Sequence, residues 1–350
     1  MLYKLFKRYS LVFGSVLTAA FLFLLAKPLQ ANAVTSLSLG SWSLSDQVPY
    51  QLRGISMVST HDGWAVGYES EVNGWPIGSV LLHWDGSAWN RVTSPTNNPL
   101  FAVKMISANN GWVVGRFGQK LHWDGSTWSD FPCEEYCVDL GSIDFSSAND
   151  GWAVGFDNSN GKIERWDGST WSSFLDSSPN SFFRSVSAIS ASDAWIVGRY
   201  PSSPIDNDML KAHWDGSLWT VTITKQGHFG LVGVDMLSSS EGWAVGTNDM
   251  CHYTGSWECH GTAYPILVSL EMLSANDVWV VGGTNSIRSE SLGLIIHWDG
   301  NTWTVIDNPS NQTLQSIDML SANEGWAVGW NGAILHYTNN KYIYLPLVTR

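Results

Sequence analysis

Gly63-Trp64-Ala65-Val66-Gly67 is the string whose reading decides the fold. Its core, Trp-x-Val-Gly, returns at Trp112, Trp152, Trp195, Trp243, Trp279 and Trp326, at intervals of 48, 40, 43, 48, 36 and 47 residues. That period is the length of one four-stranded propeller blade, roughly 40–50 residues, whereas solenoid repeats of about 20–35 residues are too short. Working outward, the apolar run 54–59 reads as a strand a, and the turn Thr60-His61-Asp62 leads into the Trp-bearing strand b. After a connection of variable length come Val80-Leu81-Leu82-His83-Trp84 (strand c), Asp85-Gly86-Ser87, and Trp89-Asn90-Arg91-Val92 (strand d). Asp-Gly between two β-rich runs marks a hairpin, because glycine adopts positive φ without steric cost. The c–d unit recurs at 121–128, 165–171, 213–219 and 297–303, with degenerate copies at 252–257 and 336–342.

The expected fold is all-β: a seven-bladed β-propeller of four-stranded antiparallel blades over residues 54–345. An N-terminal strand or linker, 34–53, precedes it and a tail, 346–350, follows. One blade cannot bury both of its apolar faces; packing blades side by side in a ring does, and leaves few open sheet edges. This accounts for the 21 tryptophans, since each buried Trp withdraws ~150–250 Å² from water. Ring closure has two readings. Gly40-Ser41-Trp42-Ser43 resembles a fourth strand, yet the last repeat holds its own candidate in Tyr342-Ile343-Tyr344-Leu345. The preferred reading makes the N-terminal segment an extra edge strand.

Residues 1–33 have the form of a signal peptide: Lys4, Lys7 and Arg8 without an acid, a short apolar run, then Ala31-Asn32-Ala33 before the expected cut. The apolar run is shorter than the ~20 residues of a spanning helix, so cleavage is expected and no transmembrane segment thereafter. Losing residues 1–33 removes four bases and no acid, which moves the formal charge from −13 to −17. So negative a surface repels phosphate backbones, and nucleic acid is excluded as a partner. The four cysteines suit an oxidising, extracytoplasmic compartment; of three possible pairings the local one, Cys133–Cys137 with Cys251–Cys259, is expected. Their spacing is not that of a zinc site. No metal or other cofactor is expected, and the protein is expected to be a monomer.

The strings Gly-Trp-Ala-Val-Gly (63–67, 151–155, 242–246, 325–329) and Asp-Gly-x-x-Trp resemble those of the photosystem II assembly and stability factor family, within the sialidase-type (BNR-like) repeat propellers. The resemblance spans 54–345 and implies a non-enzymatic scaffold that binds other proteins. The sequence departs from the sialidase Asp box, since Asp85 and Trp89 are four apart where that box has five.

Antiparallel order places a–b and c–d turns on one face and b–c and d–a loops on the other. The first set is nearly uniform among the copies and the second diverges, so recognition is expected on the b–c/d–a face. There the sequence puts Tyr68, Arg116, Phe117, Phe156, Arg199, Tyr200 and Trp330 after strand b, and Arg53, Phe182, Phe183, Arg184, His228 and Phe229 before strand a. Aromatics with Arg are the usual anchors of protein interfaces. Tyr68, Arg116, Phe117, Arg199, Tyr200, Trp330, Arg53 and Arg184 form the candidate partner-binding set, with a protein as expected partner and a glycan as the alternative. Strand a carries a second set, Ser56, Lys104, Asp144, Ser187, Asp235, Glu271 and Asp318, expected to border the central channel. The channel acids Asp144, Asp235, Glu271 and Asp318 could hold a hard cation, but a role in internal hydrogen bonding is the preferred reading. His83, His122, His213, His252, His297 and His336 occur once per blade, with Arg165 in the third. Such dispersed groups cannot converge on one metal and are expected to brace strand c. No catalytic residues are assigned. Glu134-Glu135 and Asp206/Asp208 read as solvated loop charge, and the arginine triad and Tyr–Glu pair of a sialidase are missing.

Overall fold

A computed structural model describes residues 40–133, 137–157, 160–202, 207–224, 230–284 and 292–339. Residues 1–33, expected from the sequence to be a signal peptide, Glu134-Glu135, Asp206, His228-Phe229 and the candidate strand 342–345 lie outside the described residues. Seven four-stranded antiparallel sheets form the blades, each in spatial order a-b-c-d. Strands a of blades 1 to 7 are Gln51–Ser59, Leu100–Ser107, Asp139–Ser147, Phe182–Ser190, Leu231–Ser238, Ile266–Ser274 and Leu314–Ser321. Strands b are Asp62–Tyr68, Asn110–Gly115, Asp150–Phe156, Asp193–Pro201, Glu241–Gly246, Asp277–Gly283 and Glu324–Gly329. Strands c are Val80–Trp84, Lys120–Trp123, Asn160–Trp166, Asn207–Trp214, Asp249–Tyr253, Gly293–Trp298 and Ala333–Thr338. The d strands of blades 1 to 6 are Trp89–Val92, Trp128–Phe131, Trp171–Pro179, Trp219–Thr224, Trp257–Gly261 and Trp303–Ile306. Each strand a packs on the next, and that of blade 7 packs on that of blade 1, which closes the ring.

The fourth strand of blade 7 is Ser41–Gln47, paired antiparallel with Ala333–Thr338. This corrects the expectation of an extra edge strand: the chain's beginning completes its last blade. The reason is visible in Trp42, which pairs with Tyr337 and sits 5.9 Å from Trp279 in an edge-to-face contact. That contact belongs to a sevenfold set. The d-strand Trp of every blade meets the b-strand Trp of the preceding blade at a steep angle: Trp89 on Trp326, Trp128 on Trp64, Trp171 on Trp112, Trp219 on Trp152, Trp257 on Trp195 and Trp303 on Trp243. Edge-to-face pairs contribute ~0.5–1.5 kcal/mol beyond area burial. Without Trp42 the interface between blades 6 and 7 would lack its copy. The apolar core is correspondingly divided; seven clusters among the described residues each lie between two neighbouring blades.

The repeated histidines close this box from within their own blade. His83, His213, His252, His297 and His336 stack on the b-strand Trp at 4.1–4.5 Å and hydrogen-bond Asp62, Asp193, Glu241, Asp277 and Glu324 at 2.5–2.9 Å. His122 does the same with Asn110, and Arg165 with Asp150. These side chains brace strand c, one blade at a time. The c–d turns of blades 1, 2, 3, 4 and 6 are built alike. The Asp124 carboxylate accepts bonds from the Thr127 and Ser126 amides and the Ser126 hydroxyl, which hold it down to about 2. Asp85, Asp167 and Asp215 also stand at about 2 in the same turn.

Candidate partner-binding site

The closing glycine of Trp-x-Val-Gly shapes the channel mouth. A Cβ on Gly67 would lie 1.9 Å from the Gln51 carbonyl oxygen, and Gly198 stands in the same relation to Phe182 at 2.1 Å. This close approach is possible because strand a bulges there: Leu52 pairs with Gly67 and Gly54 with Val66, so Arg53 is skipped. In blade 4 the skipped residue is Arg184. A bulge re-aims the extra side chain. Both arginines line the axial cavity, of about 270 Å³, together with Phe101, Phe156 and the inner strands.

Around this mouth the cations lie on aromatic rings. The Arg53 guanidinium is 5.7 Å from the Trp330 ring and 5.8 Å from that of Phe101. Arg184 is 4.6 Å from Phe156, Phe156 is 4.9 Å from Phe182, and Arg199 is 4.8 Å from Phe182. On blades 1 and 2 Arg116 is held between Trp75 at 4.9 Å and Phe117 at 4.7 Å, and donates to the Pro76 carbonyl at 2.9 Å. Arg184 and Arg199 form no ion pair among the described residues. Burial, then repulsion from Arg199 and Arg53, lowers the Arg184 guanidinium to about 10; burial lowers Arg199 as well. A buried guanidinium with two further arginines close by is suited to an incoming anion.

Of the eight candidate residues, Arg53, Arg184, Arg199 and Trp330 thus meet near the mouth, while Arg116 and Phe117 form a separate cation–aromatic contact with Trp75. Tyr68 and Tyr200 do neither. Tyr68 is 2% exposed, donates its hydroxyl to Glu71 at 2.6 Å and supports the Trp330 ring edge-on. Tyr200 packs against the core between blades 3 and 4. Phe183, among the aromatics before strand a, is fully buried. The sequence reading missed Trp75, 62% exposed at the tip of a small hairpin, Ser70–Val72 with Trp75–Ile77. Its signal was present: Asn73-Gly74, both at positive φ, is a two-residue hairpin turn.

Deeper in the channel all seven strand-a residues of the second set line the cavity. Asp318, Ser56, Asp144, Ser187 and Asp235 each accept a backbone N–H from the following blade, at Met57, Met105, Ala188, Met236 and Met272, over 2.5–3.1 Å. Lys104 pairs with Asp144 at 2.8 Å, and that carboxylate raises its pKa against the opposing effect of burial. Burial pushes Asp235 up to about 6, with Asp144 adding to it, and lifts Glu271, with Asp235 and Asp318 adding, well above its ordinary range. Asp318 is raised by burial too. Among the described residues no three His, Cys, Asp or Glu side chains are grouped to hold a metal ion. Asp208 is buried at 3% exposure, which corrects its reading as solvated loop charge; it sits inside blade 4 strand c. Both expected disulfides, Cys133–Cys137 and Cys251–Cys259, are formed. Among the described residues no helix is long and apolar enough to cross a membrane.

The geometry defines a class: a seven-bladed β-propeller with a basic, aromatic channel mouth. No family model and no curated protein sequence matches the chain. Among solved structures it is similar to the photosystem II assembly factor YCF48 bound to D1 peptide, with a TM-score of 0.63 and 18% identity over 88% of this chain and 100% of that one. YCF48 from Cyanidioschyzon merolae aligns with a TM-score of 0.60 and 14% identity over 85% and 98% of the two chains. The WD40 β-propeller domain of Doa1 aligns with a TM-score of 0.65 and 11% identity over 86% and 98%. At these identities the likeness is one of fold.

Proposed function

We infer that the chain is an exported, non-enzymatic scaffold that binds a protein partner, as an extended segment bearing carboxylate and apolar groups, across its b–c/d–a face. The observation that carries this reading is the rim of Arg53, Arg184 and Arg199 on aromatic rings around the channel mouth, in a chain of net charge −13. Desolvated guanidinium groups beside aromatic surface favour carboxylates flanked by apolar side chains. A second observation supports it. In the turn after strand b, blade 7 has Trp330-Asn331-Gly332 and blade 2 has Arg116-Phe117-Gly118, with Asn331 at φ 54° and Phe117 at φ 58°. Asn tolerates this left-handed backbone and Phe does not, at roughly 1–2 kcal/mol. An exposed Phe kept in a strained place is what a contact residue would require. That YCF48 has been solved with a D1 peptide supports a peptide ligand for a propeller of this shape.

Export is supported by the form of residues 1–33 and by the two disulfides. Absence of enzymatic activity is supported by the use of the recurrent histidines and most channel acids in internal bonds. The test is a peptide array probed with the protein lacking residues 1–33, followed by titration of the best peptides against Arg184→Ala/Arg199→Ala. Binding should fall at least tenfold in the double variant and weaken with salt. Undiminished affinity would remove the site assignment, and a blank peptide array with a clear glycan-array signal would replace the protein partner with a sugar.

A further inference from the structure

Lys211 lies on strand c of blade 4 and is 5% exposed. Its strand partner is Val197, the valine of Trp-x-Val-Gly. The same register in blade 2 holds Lys120, opposite Val114, while blades 1, 3, 5, 6 and 7 place Leu81, Ile163, Met250, Ile295 and Ile334 there. A buried lysine needs an anion, and Lys120 has one: Glu164 of the next blade, at 2.8 Å and itself buried. Glu164 stands opposite Ala153 on strand b. The residue at that register in blade 5, opposite Ala244, is Cys251. Cys251 is fully buried and bonded to Cys259, its cross-strand neighbour on the outer strand d. The Lys211 ammonium reaches Cys259 Sγ at 3.6 Å. It makes no ion pair with a described carboxylate, although Asp208 and Asp249 are buried near the start of the same two c strands. Burial lowers its pKa accordingly. Where blades 2 and 3 have lysine and carboxylate, blades 4 and 5 have lysine and sulfur. Opening the disulfide would create a thiolate within reach of the Lys211 ammonium.

We propose that Cys251–Cys259 is a site of thiol–disulfide exchange with dithiols, and that Lys211 stabilises its open form by pairing with a thiolate. A dithiol's thiolate attacks Cys259 Sγ, the partly exposed sulfur, and the S–S electron pair leaves on Cys251, which takes a proton. The dithiol's second thiolate then displaces Cys259 and forms a cyclic disulfide. Two electrons pass from the dithiol to the cystine; the products are a Cys251 thiol and a Cys259 thiolate beside the Lys211 ammonium. An adjacent cation lowers a thiol pKa and so favours the reduced state. Cys133–Cys137, far from Lys211 in the sequence and in another blade interface, is an internal reference within the same chain.

The experiment equilibrates the full chain in dithiothreitol buffers of graded redox ratio, traps thiols by alkylation and counts each cysteine by peptide mass mapping. Wild type should open Cys251–Cys259 at about a tenfold lower reduced-to-oxidised ratio than Lys211→Met, since one pKa unit corresponds to a factor of ten. Lys211→Arg should stay close to wild type, and Cys133–Cys137 should be unmoved by either change. The fully reduced wild type should also show one thiolate by ultraviolet absorbance at neutral pH, lost in Cys259→Ser. That measurement needs no Lys211 variant to fold. Equal redox midpoints in wild type and Lys211→Met, or no thiolate below pH 8, would overturn the proposal.

Discussion

The two faces of the ring use charge differently. On the a–b/c–d face the recurrent polar side chains are answered within their own blade: His83 by Asp62, His336 by Glu324, and Asp124 by the amides of its own turn. On the b–c/d–a face Arg116, Arg184 and Arg199 lie on aromatic rings, and burial, then its fellow arginines, depresses Arg184. The first face is saturated, so its chemistry is spent on the fold. The second carries cations against partly exposed rings, and Phe117 keeps a left-handed backbone there. Uniformity marks stability because such contacts have to be repeated at every blade interface; under the proposed function, divergence serves recognition.

The sharpest way to break the comparison is at a shared interface. Trp152→Ala removes a fully buried ring that meets both Trp214 and Trp219 of the next blade, and should cost ~3–5 kcal/mol in a denaturant melt. A small loss would mean the interfaces do not depend on their tryptophans. Next in size is Gly67→Ala. The added methyl collides with the Gln51 carbonyl and should cost ~1–3 kcal/mol. It should also weaken peptide binding by displacing the bulge that presents Arg53; a loss of stability with binding intact would uncouple the bulge from the site.

Phe117→Asn, copying blade 7, should gain roughly 1 kcal/mol by relieving the left-handed strain while lowering partner affinity. Opposite signs for stability and binding are the outcome to look for; a stability loss would show that Phe117 serves packing. The pH profile separates the channel from the turns. Asp235 titrates in the folded chain at about 6, above the ordinary 3.8, so its ionisation destabilises and stability is regained as pH falls from about 6 toward 4. The turn carboxylates titrate at about 2, below 3.8, so their contribution is lost as pH falls from about 4 through 2. Melting temperature should therefore rise on mild acidification and fall below about pH 4. Asp235→Asn should reduce the rise, part of which Glu271 and Asp318 also supply, and leave the fall in place; an unchanged profile would take Asp235 out of the account.

Much of this was legible because repetition averages out local ambiguity. A single Trp-x-Val-Gly fits many strands, but seven at blade-length spacing fit one architecture. The residue one past the apolar position of strand a could be assigned to the channel in every blade for the same reason. Ring closure was misread because strand order around a ring depends on which end of the chain is nearer the gap. Trp42 and the segment 342–345 look alike in isolation. Tyr68 was misplaced because a tyrosine after strand b can turn outward or support a neighbour, and only the Trp330 ring decides. Trp75 escaped notice since it lies in a connection that has no copy in other blades.

The amino-acid sequence alone determined the number of blades, the positions of their strands and turns, the face on which the chain diverges, and the local pairing of its cysteines. Each of these follows from short-range patterns that recur. Only the tertiary structure decided that the first strand completes the seventh blade, that Arg53, Arg184 and Arg199 meet around one opening, and that Lys211 faces a disulfide where Lys120 faces a carboxylate. Those juxtapositions join side chains from different strands and blades, and they exist because burying seven thin sheets against one another leaves a single closed ring.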